Sequence, residues 1–267
     1  MKILISDVDG TLVHDNQNIS QDNINWMKEL QRQGHKIALC TGRQLFEMKW
    51  ILNEIPFPYD YLILNNGAQI LDRNHRVLYE KKMDAYTGRA ILDYVTQFDD
   101  LYSFYSDGAV SYGFSHGQCV EHMTNLEEPV DVSFQELYQN APHFDIISFH
   151  QDNQEMTITK ACYEYIQKHY GDKLSVYYNL HYVDIVARGC SKGNGMTWLC
   201  QHLGINEQDI YAIGDSYNDL SMLQAIRQGY TFKHAHEDIK SMVPRHVHYV
   251  HEVIQDMLGG KNNELAR

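Results

Sequence analysis

The chain is short of positive charge. Its 267 residues carry 22 Lys and Arg against 35 Asp and Glu, a formal net charge of −13. That deficit argues against nucleic-acid binding, where Lys and Arg must neutralise phosphates, and equally against docking on anionic membrane. Long hydrophobic runs are also missing. No window approaches the roughly 20 apolar residues of a membrane-spanning helix. The apolar run near the start, Ile3 to Ile5 in MKILISDVDG, is shorter than the core of a secretory signal. Cysteine is sparse: Cys40, Cys119, Cys162, Cys190 and Cys200 are odd in number and form no CxxC. Reduced thiols and a cytoplasmic location are the expectation. Gly/Ser-rich linkers, internal repeats and low-complexity tracts are absent.

What is present suffices for a large folded core. Apolar residues make up 43%, which excludes global disorder, and the length suits two domains better than one. Residues 2–6 form a short apolar run ending at a turn, the pattern of a buried strand. Ser20 can cap a helix whose apolar positions Ile24, Met27 and Leu30 recur at three-residue steps, with Gly34 to stop it. KIALC (36–40) reads as a second strand, residues 44–54 as a helix closed by Pro56 and Pro58, and YLIL (61–64) as a third strand. Strand and helix alternating in this way predict a parallel sheet with crossover helices. The rhythm resumes late: a helix over 193–203, a strand over 209–213, a helix over 216–228, a short strand over 230–232 and another over 246–250. Between them the composition changes. Twelve of the 19 tyrosines fall within 83–182, with long helices expected over 85–98 and 154–170 and alternating strand-like runs over 101–105, 109–114 and 174–178. This middle reads as an α+β domain inserted into an α/β one.

Polar clusters stand where the strands end, which is where open parallel sheets bind ligands. They are Asp7-Val8-Asp9-Gly10-Thr11, Thr41-Gly42-Arg43, Ser191-Lys192-Gly193, and Gly214-Asp215-Ser216-Tyr217-Asn218-Asp219. Each has a plain reading by itself. Asp-Gly marks turns, Asp215 and Asp219 suit a helix N-terminus, and a lone lysine is usually solvated. Together they describe a site. Carboxylates converging on one sheet edge suit a hard cation such as Mg²⁺, which works beside substrate phosphates. A lysine, a threonine hydroxyl and backbone N–H groups at Gly10, Thr11 and Gly42 would meet a phosphoryl group. Asp7 could then act as nucleophile, and Asp9 as the acid that protonates the leaving oxygen and later the base that activates water.

The four clusters, in this order, resemble the haloacid dehalogenase superfamily of phosphotransferases. AIGDSYNDLSML, LILNNGAQI and SKGNGM are especially similar to its Cof-type subfamily. The resemblance implies a Rossmann-like α/β core over 1–82 and 184–267, discontinuous around an α+β cap at 83–183. It implies a Mg²⁺-dependent phosphatase acting on small phosphorylated metabolites, sugar phosphates foremost, through an aspartyl-phosphate on Asp7. Asp9 would be the acid/base, with its backbone carbonyl on the metal. Thr41 would bind the phosphoryl group, Lys192 would neutralise nucleophile and phosphate, and Asp215 would ligate Mg²⁺. Asn218 and Asp219 would support them, and Asn66 and Arg43 would face the substrate. A phosphomutase using the same nucleophile and a non-catalytic sensor are the alternatives. Neither nucleic acid nor membrane is an expected partner. The segment HAHEDIKSMVPRHVHYVHEVIQDML departs from the family pattern: Ala235, Asp238 and Lys240 fit, but its Gly-containing final piece is missing. His246 and His248 fall on one face of the expected last strand, a conceivable metal pair, though surface histidines without ligands are commoner. The middle tyrosines are expected to pack a half-buried sheet rather than stack on a ligand.

Overall fold

The structure is a computed structural model. It describes all residues except 14–18, 109, 116, 122–128, 152–155, 180 and 261–267. Strands in chain order are β1 (Ile3–Ser6), β2 (Lys36–Cys40), β3 (Tyr61–Leu64), β4 (Gln69–Asp72), β5 (Val77–Glu80), β6 (Met83–Asp84), β7 (Leu101–Ser106) and β8 (Ser111–Ser115). There follow β9 (Gln118–Glu121), β10 (His143–Phe144), β11 (Ile146–Gln151), β12 (Leu174–Asn179), β13 (Tyr182–Ala187), β14 (Ile210–Ile213), β15 (Gln228–Phe232) and β16 (Arg245–Val247). The helices are α1 (Gln21–Arg32), α2 (Leu45–Glu54), α3 (Ala85–Val95), α4 (Phe134–Asn140), α5 (Thr157–Tyr170), α6 (Lys192–His202), α7 (Leu220–Leu223), α8 (Glu237–Met242) and α9 (Val250–Met257).

Two compact units result. The first comprises Met1–Thr41, Trp50–Tyr79 and Ser191–Arg267; the second comprises Gly42–Lys49 and Glu80–Cys190. Sequence composition put the changes of domain at 83 and 183. Backbone contacts put them at 80 and 190, and add residues 42–49 to the second unit.

The first unit is built on an eight-stranded sheet in the order β16-β15-β14-β1-β2-β3-β4-β5. Pairing is parallel from β16 through β3, then antiparallel between β3 and β4. β1 is central and wholly buried, as its unbroken apolar run requires. Ile3, Ile5, Ala38, Cys40 and Ile63 share a cluster with Met196, Leu199 and Cys200 of α6. Leu4, Leu39 and Leu62 turn to the opposite face by the two-residue period of a strand. α1 begins as its sequence dictates: the Ser20 side chain accepts from the Asn23 N–H, Ile24, Met27 and Leu30 are buried, and Gly34 follows with φ +78°.

Two expected elements differ. The helix expected over 216–228 is a 3-10 turn (Tyr217–Asp219) followed by the four residues of α7. Gly229 explains the early stop. It lies directly against the Leu223 carbonyl, where any Cβ would overlap, so β15 returns immediately behind the helix end. The strand expected over 246–250 is β16, ending at Val247; Val250 instead opens α9, whose Val250, Val253, Ile254 and Met257 are buried.

In the second unit the six-stranded sheet runs β12-β13-β11-β7-β8-β9, antiparallel throughout, beside the two-stranded pair β10-β6. Ile91, Leu92 and Val95 of α3, Phe134 and Tyr138 of α4, and Cys162 and Ile166 of α5 pack on Leu101, Tyr105, Ile147, Phe149, Val183 and Ile185. Tyrosines do pack this core: the Tyr105 ring meets Phe144 edge-on at 5.2 Å and lies 5.7 Å from Phe134. Ala109, the first residue of one expected strand, and residues 154–155 of one expected helix lie outside the described residues.

Helix α6 is held close to its neighbours by glycine. A Cβ on Gly195 would sit 2.8 Å from Ile63 Cγ2 and 2.9 Å from the Gly67 Cα. Helix propensity by itself favours Gly195→Ala by about 1 kcal/mol. Overpacking reverses the sign, and urea denaturation of Gly195→Ala is expected to show a net loss of about 1–3 kcal/mol. A more stable variant would contradict the close contact.

Candidate active site

Four segments distant in sequence meet at the carboxyl edge of the first unit's sheet. β1 delivers Asp7, whose N–H donates to the Ile213 carbonyl at 3.0 Å. The turn after it carries Asp9, Gly10 and Thr11. Thr41 follows the end of β2, and its N–H donates to the Ile63 carbonyl. α6 begins at Lys192, with Ser191 as its cap accepting from the Asn194 N–H at 2.9 Å. The turn after β14 carries Asp215 to Asp219.

Lys192 is the centre of the arrangement. It is 2% exposed, and its Nζ donates to Asp7 Oδ1 at 2.7 Å and to Asp219 Oδ1 at 2.6 Å. Burial by itself would weaken its charge, but Asp219 and Asp7 outweigh burial and hold the ammonium above its ordinary pKa. Asp7 is similarly buried. Desolvation and then Asp219 push its carboxyl well above the usual range; Lys192 pulls the other way, and Asp215 adds to the rise. Asp7 Oδ2 is buried with no hydrogen-bond partner.

Asp219 has two tasks. Its Oδ1 faces Lys192, while its Oδ2 accepts from the N–H groups of Asp215 (3.0 Å) and Ser216 (2.9 Å) and from the Ser216 hydroxyl. This closes a capping box on the turn. Thr11 Oγ1 donates to Asp215 Oδ1 at 2.6 Å. Gly10, at φ +78°, lets Asp215 come close: a Cβ there would lie 2.5 Å from Asp215 Oδ2.

Oxygens of Asp7, Asp215 and Asp219 lie within 4.8 Å of one another, the sole group of three or more such ligand side chains among the described residues. Carboxylate oxygens, one of them buried without a partner, fit a hard divalent cation. Asp9 is outside this group and its side chain is exposed. The two carboxylates of the DVD motif thus sit in opposite environments, one dry and one wet.

Other expected residues fall differently. The Gly10 N–H is already donated to the Val13 carbonyl at 2.8 Å, so it is not an open donor for a phosphoryl group; the turn that makes this bond is what places Thr11. Thr11 and Thr41 are buried beside the site. Gly42 and Arg43 belong to the second unit. Asn66, expected to face substrate, is wholly buried and accepts from Asn218 Nδ2 at 3.2 Å. The two histidines of the expected last strand have protein partners: His246 Nε2 donates to the Val243 carbonyl at 2.7 Å, and His248 accepts from Lys233 at 3.0 Å. Two functional positions escaped the sequence reading. Ser216 caps the turn, and Ser221 Oγ accepts from the Gly193 N–H at 3.0 Å, fixing the start of α6. The Ser216-to-Asp219 spacing is a capping-box signal that could have shown the first.

Known proteins share this architecture. A sequence model of the haloacid dehalogenase-like hydrolase family matches residues 4–252. A 5-amino-6-(5-phospho-D-ribitylamino)uracil phosphatase of Bacillus subtilis is 28% identical over 269 residues, covering 90% of each chain. The structure of a haloacid dehalogenase-like hydrolase from B. subtilis superposes with a TM-score of 0.76 at 25% identity, covering 97% of this chain and 99% of that one. A sugar phosphatase of HAD subclass IIB superposes with a TM-score of 0.74 at 20% identity, over 97% and 98% of the two chains. With the match spanning nearly the whole chain and the site motifs in place, the chain belongs to the haloacid dehalogenase-like hydrolases, as a phosphatase of their Cof-type group.

Proposed function

We propose that the protein is a cytoplasmic, Mg²⁺-dependent phosphatase that hydrolyses phosphomonoesters of small metabolites, sugar phosphates foremost, through an aspartyl-phosphate on Asp7. The observation that carries this reading is Lys192 buried between Asp7 and Asp219, with Asp7 Oδ2 unpartnered and Asp215 beside it. The sugar-phosphate class rests on the named activity of the structural relative. The cytoplasmic placement rests on five free thiols.

Asp7 and Asp215 would hold the cation, with Asp219 supporting them from behind, and the cation would supply positive charge opposite the phosphoryl oxygens. Every other part is the chain's own. Lys192 opposes the desolvation of Asp7 and orients its carboxylate, and the cation would supply the rest of the opposing charge. An Asp7 oxygen attacks phosphorus, the ester P–O bond breaks, and the leaving oxygen takes a proton from Asp9. Asp9, now a carboxylate, removes a proton from water, whose oxygen attacks the same phosphorus. Inorganic phosphate leaves and Asp7 is regenerated. The exposed setting of Asp9 suits a group that must exchange protons twice per cycle. The Thr11 N–H, the Thr41 hydroxyl and the Asn218 amide would supply donors to the phosphoryl oxygens, the Thr11 hydroxyl being taken by Asp215.

Phosphate release from a panel of sugar and nucleotide phosphates, with and without Mg²⁺, tests the proposal. Release is expected only with Mg²⁺, and Asp7→Asn should abolish it. Release by that variant would place the nucleophile elsewhere. The same variant reads the electrostatics. A raised carboxyl pKa means that folding takes up a proton, so stability falls as pH rises from the unfolded value of 3.8 through the folded one. Asp7→Asn lacks that penalty. Without metal it should melt no lower than wild type at pH 7, and its relative advantage should shrink as pH falls. Mg²⁺ should raise the Tm of wild type and leave the variant unmoved.

Lys192→Met leaves two buried carboxylates without a counter-charge. Chemical denaturation should show a loss of about 3–5 kcal/mol, together with loss of turnover. A variant as stable as wild type would show that the ion pairs do not hold this edge of the sheet together.

A further inference from the structure

The turn after β3 is unusual. Asn65, Asn66 and Gly67 take left-handed backbone in succession, at φ 51°, 49° and 88°. Asparagine tolerates this region better than most residues, yet a run of it is unfavourable and persists only where surroundings enforce it. Here they do. The Asn66 N–H donates to the Thr41 carbonyl at 3.1 Å, and the Ala68 N–H to the Asn65 carbonyl at 3.1 Å. Gly67 lies against the Ser191 carbonyl, where a Cβ would overlap it. The turn therefore touches both the end of β2 and the cap of α6.

Its product includes a buried side-chain contact. Asn66 Oδ1 accepts from Asn218 Nδ2 at 3.2 Å, and at the other end of the same amide Asn218 Oδ1 lies 2.7 Å from Ser216 Oγ, whose one hydrogen it shares with Asp219 Oδ2. A primary amide has a donor end and an acceptor end of nearly equal shape. Rotated by half a turn, Asn218 would present its carbonyl oxygen where an anion must bind. The Asn66 carbonyl oxygen opposes that rotation, because it would then face the Asn218 oxygen, and only one of the two Nδ2 hydrogens is used in this contact.

We propose that Asn66 is a positioning residue: held in a left-handed turn, it fixes the Asn218 amide so that an N–H, not a carbonyl, faces the phosphoryl group. This rests on the phosphatase reading above. Asn66 itself touches no substrate.

Asn66→Gly tests it without disturbing the backbone, because glycine adopts φ near +49° freely. The readouts are kcat/KM on the best substrate of the panel and the inhibition constant of inorganic phosphate, which does not depend on how much of the enzyme is active. Asn66→Gly should weaken both about tenfold while remaining folded at the assay temperature. Asn218→Ala should do the same, and the double variant should be no worse than Asn218→Ala. Asn65→Gly relaxes the adjacent residue of the same turn without touching Asn218 and should behave as wild type. An unchanged phosphate inhibition constant in Asn66→Gly, additive losses in the double variant, or an equal loss in Asn65→Gly would each overturn the proposal. A wild type inactive on the whole panel would overturn the phosphatase reading instead. Calorimetric binding of phosphate to wild type and Asn66→Gly would then decide the role of Asn66 by the same tenfold difference.

Discussion

A single buried ammonium group organises this site. Two carboxylates at the carboxyl edge of a parallel sheet, both out of water, would repel each other and resist ionisation. Lys192 reaches both at hydrogen-bond distance. Its charge is in turn secured by them, since burial by itself would drive it neutral. Each of the three groups is tolerable only because of the other two. The compensation remains incomplete, as the raised Asp7 carboxyl shows, and the remaining deficit is of the sign that a bound cation relieves.

Around that triad, backbone geometry does what side chains cannot. Gly10 admits Asp215, Gly67 and Gly195 let α6 approach the end of β3, and Gly214 lies where a Cβ would collide with the Asp219 carboxylate. Small residues thus set the separation between charged ones. Asp219 shows the economy of the design most plainly. One oxygen neutralises Lys192 and the other organises the N–H groups of its own turn. Replacing it by asparagine would swap an acceptor for a donor at one of those two ends.

Much of this was readable from residues alone. The strands of the first unit declare themselves as short apolar runs, and a turn residue with chemistry follows each of β1, β2 and β14. Strand ends and helix starts were legible because they depend on local pattern. What failed was set by tertiary contact. The helix after Asp219 stops at Leu223 because Gly229 lies against its last carbonyl, a contact between residues the chain must first fold to bring together. α9 was hidden differently: Val250, Val253, Ile254 and Met257 carry helical spacing, but HVHYVH directly before them alternates like a strand. At the site, residue types were legible and orientations were not. Nothing local says that Gly10 spends its N–H on Val13, or that Asn66 turns inward to Asn218 rather than out to a ligand.

The central strand has a consequence for how the molecule is made. β1 pairs on one side with β2, about thirty residues ahead, and on the other with β14, about two hundred residues ahead. A ribosome synthesises the first pairing early and the second about two hundred residues later. Until β14 emerges the Asp7 strand has one edge open, and Asp7 has neither Lys192 nor the turn of Asp215 beside it. Contacts of such sequence separation form slowly, and an open strand edge meanwhile invites wrong partners. The nascent first unit is thus a half-sheet in need of protection until its last third emerges, whereas the second unit, continuous from Glu80 to Cys190 but for the short 42–49 segment, has most of its chain available before that point.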